Sequence, residues 1–153
     1  MDRRPEALMG DQEIVAALGG PGVLGRRGRG RLRLADSVAR GLPVAALDRV
    51  KAALRLADTE VAAALGVSPK TVSRHRGAPA RALGPMASDR LYRLARIYAF
   101  AIVVLEDADR AREWLRTTQP GLGHRTPLAL LTTVAGAREV EDLLGRIEHG
   151  VFS

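Results

Sequence analysis

The chain contains no cysteine, which removes disulfide scaffolds, thiolate metal sites and thiol nucleophiles from consideration. It also lacks any run of about 18 apolar residues, the minimum for a helix that spans a bilayer. Its longest candidate, residues 97–105, would cover less than half of the hydrocarbon core, so no membrane span is expected. The opening Met1-Asp2-Arg3-Arg4-Pro5-Glu6 is not followed by an apolar stretch and a small-residue cleavage site. That is unlike a secretory signal, and a cytoplasmic protein is the expectation. Histidine is scarce. His75, His124 and His149 stand far apart with no ligand-spaced partner, so no metal site is expected. No cluster of groups fit for catalysis is present either. Glu139, Glu141 and Asp142 have the look of a solvated face near a helix N-terminus, where negative charge is favourable. Strand-like alternation is absent, and the expected fold class is all-α.

What is present is apolar content of 46% in 153 residues, enough for one ordinary domain or two small helical ones. The net charge of +7 is unevenly placed. Residues 1–81 hold 15 Lys/Arg against 8 Asp/Glu, whereas residues 82–153 hold 9 of each. All the excess cation lies in the first half. Because cationic side chains near phosphates release condensed counterions, that half favours a nucleic-acid partner, and the neutral half a different partner or none.

Residues 1–10 are expected to be disordered. Asp11 is placed to cap a short helix through Leu18, with Ile14, Val15 and Leu18 on one face and Gly19-Gly20 as its stop. Residues 20–33, rich in glycine and arginine, are expected to form a loop leading to a second helix near residues 34–40. Pro43 stands where a first helical residue would, and Val44, Leu47, Val50 and Leu54 repeat at helical steps. Two short helices then follow, near 59–65 and 69–76. Beyond a loop with Gly77, Pro79, Gly84 and Pro85, Ser88 or Asp89 is expected to cap a long helix to about Leu105. Its buried stripe is Leu91, Leu94, Ala95, Tyr98, Ala101, Ile102 and Leu105. A break at Glu106-Asp107 precedes a helix through Trp114, which with Ala111 and Leu115 is expected to anchor the core. Residues 120–125 form a turn. Pro127 is expected to start a helix to Ala135 that Gly136 ends, followed by a last helix over about 138–148.

The segment Val61-Ala62-Ala63-Ala64-Leu65-Gly66-Val67-Ser68-Pro69-Lys70-Thr71-Val72-Ser73-Arg74 has the local physics of a helix-turn-helix. Two steeply crossing helices need a small residue at the crossing, a turn residue tolerant of positive φ, and apolar anchors on both sides. Ala62 supplies the first, Gly66 the second, and Val61, Leu65, Val67 and Val72 the anchors. Ser68 caps the second helix and Pro69 opens it. In such a unit the second helix enters the major groove. Thr71 and Arg74 are the expected base readers, and Ser68, Lys70, Ser73 and Arg76 the expected phosphate contacts. An ordinary αα-hairpin with a polar outer face is the alternative. His75 occupies a position where an apolar residue often buries the recognition helix, which predicts a short or loosely held helix.

Gly20-Pro21-Gly22-Val23-Leu24-Gly25 satisfies G-x-G-x-x-G by letter. A dinucleotide site requires a preceding strand and a helix that starts inside the motif, and Arg26-Arg27-Gly28-Arg29-Gly30-Arg31 would not nucleate one. No cofactor is expected. Arg26, Arg27, Arg29, Arg31 and Arg33 either form an arm that follows phosphates or solvate a flexible segment.

The C-terminal run joins Ala111, Trp114-Leu115, Leu122-Gly123, Thr126-Pro127-Leu128, Leu130-Leu131, Thr133, Gly136-Ala137, Val140, Leu143-Leu144, Arg146-Ile147 and His149-Gly150 in order. Together they resemble the toxin-binding domain of antitoxins of the Xre/MbcA/ParS type. The preceding Ser88-Asp89-Arg90-Leu91-Tyr92-Arg93-Leu94-Ala95-Arg96 and the Xre-like helix pair at 58–76 match the same architecture. The resemblance implies an N-terminal Xre-like helix-turn-helix bundle and a small helical toxin-binding domain, and no enzyme. It implies a cognate RES-domain toxin that attacks or uses NAD, bound so that its active-site cleft is covered. It also implies operator DNA as a second partner, repression of the shared operon, and a homodimer through the N-terminal half. Carried over by position, the toxin contact includes Arg146, Ile147, Glu148, His149, Gly150, Val151, Phe152 and Ser153. The expected division is 11–81 for DNA, 82–105 as a connecting helix and 106–153 for the toxin. Rival readings are a free-standing helix-turn-helix regulator whose C-terminal half dimerises or senses a ligand, and an enzyme resting on the glycine pattern alone.

Overall fold

A computed structural model describes residues 11–25, 31–75, 77–78 and 80–150. The expected disordered segment 1–10 and the arginines at 26, 27 and 29 lie outside the described residues, as do the side chains of Arg31 and Arg33. Among the described residues the chain forms helices, with only isolated bridges at Pro43–Ala82 and Gln119–Arg125 in place of strands. In order these are α1 (Asp11–Ala17), α2 (Pro21–Leu24), α3 (Arg31–Arg40), α4 (Val44–Leu54), α5 (Asp58–Leu65) and α6 (Pro69–His75). Then come α7 (Pro85–Leu105), α8 (Ala108–Arg116), a 3₁₀ turn (Pro120–Leu122), α9 (Pro127–Leu130) and α10 (Val134–Glu148).

Helix α7 is the axle of the molecule. Leu91, Leu94, Ala95, Ile97, Tyr98, Ala99, Phe100 and Ala101 are all buried, so its middle is apolar around most of its circumference rather than along one stripe. It can be so because helices surround it: α1, α3, α4 and α5 pack on it, as do α8 and α10. Burying each of Leu91, Leu94 and Ile97 contributes roughly 1.5–3 kcal/mol by transfer from water. Ile102 and Leu105, at its far end, are only half-buried. No helix among the described residues is long and apolar enough to cross a membrane.

Several boundaries differ from expectation, each for a local reason. Residues 21–24 form one helical turn rather than loop, since Pro21 presets the first helical φ and Gly25 N–H closes on the Pro21 carbonyl at 2.9 Å. A helix, not a strand, precedes this glycine motif. Pro43 is the extended cap before α4 and not its first residue. Helix α7 starts at Pro85, one turn before Ser88. The Ser88 hydroxyl is instead fully buried, accepting the Leu42 N–H at 2.9 Å and donating to the Leu83 carbonyl at 3.4 Å, so it ties α7 to the loop before α4. Pro127 opens only one turn, capped by the Thr126 hydroxyl. Thr133 then caps a new helix by accepting the Gly136 N–H at 3.0 Å, which makes α10 four residues longer at its start than expected. Gly136 does not end a helix. It lies within the first turn of α10, pressed against the Leu130 carbonyl.

Candidate functional site

Helices α5 and α6 build the helix pair that the sequence predicts. Val61, Ala62, Leu65 and Val72 are buried and Val67 packs against them. Gly66 stands at φ +64°, with its N–H on the Ala63 carbonyl at 3.2 Å and the Val67 N–H on the Ala62 carbonyl at 3.0 Å. This is a Schellman stop. Ser68 follows as the cap of α6, its hydroxyl accepting the Thr71 N–H at 3.1 Å. Ser68, Lys70, Ser73 and Arg74 are exposed on the outer face. Thr71 is half-buried and its hydroxyl lies 2.9 Å from that of Ser68, so it is partly engaged within its own helix. Arg76 lies outside the described residues. The helix has seven residues, and His75 is its half-buried last one, with an Nδ1 that is buried and has no hydrogen-bond partner.

Two sets of arginines that sequence reasoning missed hold this pair in place. Arg90 of α7 donates to the Leu65 carbonyl at 2.8 Å, directly over the turn. On α8, Arg112 donates to the Ala53 carbonyl at 3.1 Å and Arg116 to the Arg55 carbonyl, so the open C-terminal carbonyls of α4 are satisfied by side chains from the other half of the chain. Arg116 also pairs with Glu60 on α5 at 3.0 Å, and Glu60 in turn accepts the Ala57 N–H. The i, i+4 spacing of Arg112 and Arg116 was the available signal. Of the expected core anchors on the same helix, Ala111 and Leu115 are buried and Trp114 is half-buried.

On the last helix, α10, Val140, Leu143 and Leu144 are buried. Arg146, Ile147 and Glu148 are half-buried, and His149 and Gly150 are exposed, with Gly150 at φ +70° past the helix end. Val151, Phe152 and Ser153 lie outside the described residues. An Arg96–Glu141 pair at 2.8 Å fastens α10 to α7. Burial weakens the hold of Arg96 on its proton, but hydrogen bonds to Tyr92 and Glu141 reverse this and raise its pKa above the ordinary value. The two groups of expected contact residues stand on different helices, one on α6 and the other at the end of α10. Among the described residues no three His, Asp or Glu side chains gather in a metal-binding arrangement.

Two family models match in tandem. Residues 33–96 match the antitoxin Xre-like helix-turn-helix domain, and residues 99–150 the antitoxin Xre/MbcA/ParS C-terminal toxin-binding domain. Helix α7 contributes to both matched regions. A protein of Yersinia enterocolitica named Antitoxin Xre is 37% identical over 121 residues, covering 78% of this chain and 81% of the relative. A protein of the same name from Photorhabdus laumondii is 31% identical over 114 residues, 74% of this chain and 76% of the relative. A third, from Pseudomonas putida, is 40% identical over 63 residues, 41% of this chain and 40% of the relative.

Proposed function

The chain belongs to the Xre antitoxin family, and from that premise we propose that it neutralises a RES-domain, NAD-consuming toxin and represses its own operon. It is the antitoxin of a toxin–antitoxin system, carries a helix-turn-helix, and is of a non-enzymatic family. The observation that carries the finer reading is the tandem of the two matched domains, one presenting an exposed basic helix and the other a helix end with exposed His149 and Gly150. In this reading residues 11–81 grip DNA as a homodimer, 82–105 connect, and 106–153 cover the toxin's cleft. A cleft that admits an anionic dinucleotide is concave, and an inserted helix end blocks it without chemistry of its own. Ser68, Lys70, Thr71, Ser73, Arg74 and Arg76 face the operator, and residues 146–153 face the toxin.

Co-expression tests this. The RES-domain product of the adjacent reading frame is expected to halt growth and deplete cellular NAD alone, and to do neither with this chain present. Loss of residues 150–153, or Ile147→Asp, is expected to abolish that protection while operator binding is retained; equal protection by both variants rejects the inserted helix end. If the neighbouring product is harmless and forms no complex, the chain is a free-standing regulator. On the DNA side, Arg74→Ala is expected to lower operator affinity by about 1–3 kcal/mol in a titration, as loss of a bidentate base contact would. Unchanged affinity removes Arg74 from base reading.

A further inference from the structure

We infer that Arg116, although it lies in the region that matches a toxin-binding domain, is a positioning residue of the DNA-reading helix pair. It locks the corner between α4 and α5 and so sets the direction of α6. The inference rests on the operator reading above and extends the DNA-reading unit beyond residue 81 to α8.

Helix α6 buries a single side chain, Val72, and Ser68 caps its start. Its seat is supplied by other helices: Leu47 of α4 and Leu65 of α5 line one cleft with Thr71, Val72 and His75 of α6. The direction of α6 is therefore inherited from the angle between α4 and α5. Side chains that recognise a ligand need a placement good to roughly 0.5 Å and 10–20°. A small opening of the corner thus reaches the reading helix before it reaches the core.

The connection at that corner is Arg55-Leu56-Ala57, of which Leu56 alone is buried. Arg116 spans it. Its Nη1 lies 3.0 Å from Glu60 Oε2 and its Nη2 3.4 Å from Glu60 Oε1, a fork on the first turn of α5. Nη2 also donates to the carbonyls of Leu54, at 3.4 Å, and of Arg55, at the end of α4. Glu60 passes the constraint to the connection, since its Oε1 accepts the Ala57 N–H at 3.0 Å. One planar guanidinium thus holds the negative end of one helix and an acid in the first turn of the next, each a favourable place for its charge. Lys51 and Asp58, 2.7 Å apart, join the same helices, but an ammonium is a point charge and fixes no plane. The Arg116 and Glu60 side chains are 38% and 33% exposed, so water screens the pair and its contribution is to geometry more than to stability.

The test is binding of the full chain to a duplex of the promoter that precedes its reading frame, and to a scrambled duplex of the same composition. Wild type, Arg116→Ala, Arg116→Lys and Glu60→Gln are compared, with the Tm of each. Arg116→Ala is expected to weaken promoter binding about tenfold, as loss of one base contact would, and to leave the phosphate-held scrambled duplex unaffected. Its Tm is expected to stay within about 4 °C of wild type. Arg116→Lys, which keeps the charge, and Glu60→Gln, which keeps an acceptor for the Ala57 N–H, are expected to weaken promoter binding about threefold. A wild-type ratio of promoter to scrambled affinity in all three variants overturns the positioning role and leaves the operator reading in place. Equal loss on both duplexes, in step with a large fall in Tm, overturns it as well, and the two conservative variants decide if Arg116→Ala does not fold. A wild-type chain that does not distinguish the duplexes overturns the operator reading itself.

Discussion

Gly136→Ala is expected to destabilise the protein, although the substitution places the best helix former in a helix. Helix propensity alone favours alanine over glycine by about 0.5–1 kcal/mol inside a helix. Gly136, however, has backbone where its side chain would go: a Cβ there would lie 2.0 Å from the Leu130 carbonyl oxygen and 2.9 Å from its carbon. Neither atom is the end of a flexible side chain, so α9 must move away from α10. Forcing such a shift costs roughly 1–3 kcal/mol and occasionally more, and the overlap is deep enough to set the upper part of that range. The net loss is about 2 kcal/mol, a fall in Tm of roughly 4–8 °C for a domain of this size. The displaced segment carries Leu131, which is 1% exposed, so the disturbance enters the core beneath α10. Thermal unfolding followed by circular dichroism decides the sign. A Tm equal to or above that of wild type refutes the close approach of α9 to α10.

That glycine also marks the limit of what the sequence made legible. Its neighbours in sequence, a proline-led helix before and an amphipathic helix after, are also what surround a helix stop, and only the fold reveals that its missing Cβ serves a contact six residues away. Ser88 misled in the same way. A serine ahead of an apolar stripe has the look of a cap, whereas its hydroxyl here bridges to Leu42, 46 positions distant. By contrast, the turn between α5 and α6 was legible because all its determinants are local: a positive-φ glycine, a serine cap and a proline within the four residues 66–69. The exposure of Ser68, Lys70, Ser73 and Arg74 follows from helical phase alone. Thr71 departs partly from that phase argument, because its hydroxyl is drawn to the capping Ser68. The arginines that brace the pair were hidden for a simple reason. A guanidinium on a long stem reaches a carbonyl wherever the fold brings one, and Arg112 finds that of Ala53 across 59 positions.

Arg90 is the brace with the sharpest consequence, because it makes the cost of changing Gly66 depend on a residue in another helix. At φ +64° an alanine pays the left-handed penalty of roughly 1–2 kcal/mol in any surroundings. Its Cβ would also lie 1.9 Å from Arg90 Nη1. That atom is the tip of a flexible side chain, so the guanidinium swings aside rather than the backbone yielding. In doing so it abandons the Leu65 carbonyl, a charge-assisted hydrogen bond whose loss adds about 1.5–3 kcal/mol. Gly66→Ala is therefore expected to cost about 2.5–5 kcal/mol in the wild-type chain and only the backbone part, about 1–2 kcal/mol, in an Arg90→Ala background. Denaturant unfolding of the four proteins in this cycle measures the difference directly. If α6 is the DNA-reading helix, as proposed, operator titrations on the same set are expected to follow it, because the carbonyl that Arg90 holds ends α5 and the turn beyond it sets the direction of α6. Equal costs in the two backgrounds show that Arg90 does not hold the turn, and leave the left-handed backbone as the sole reason for glycine at this position.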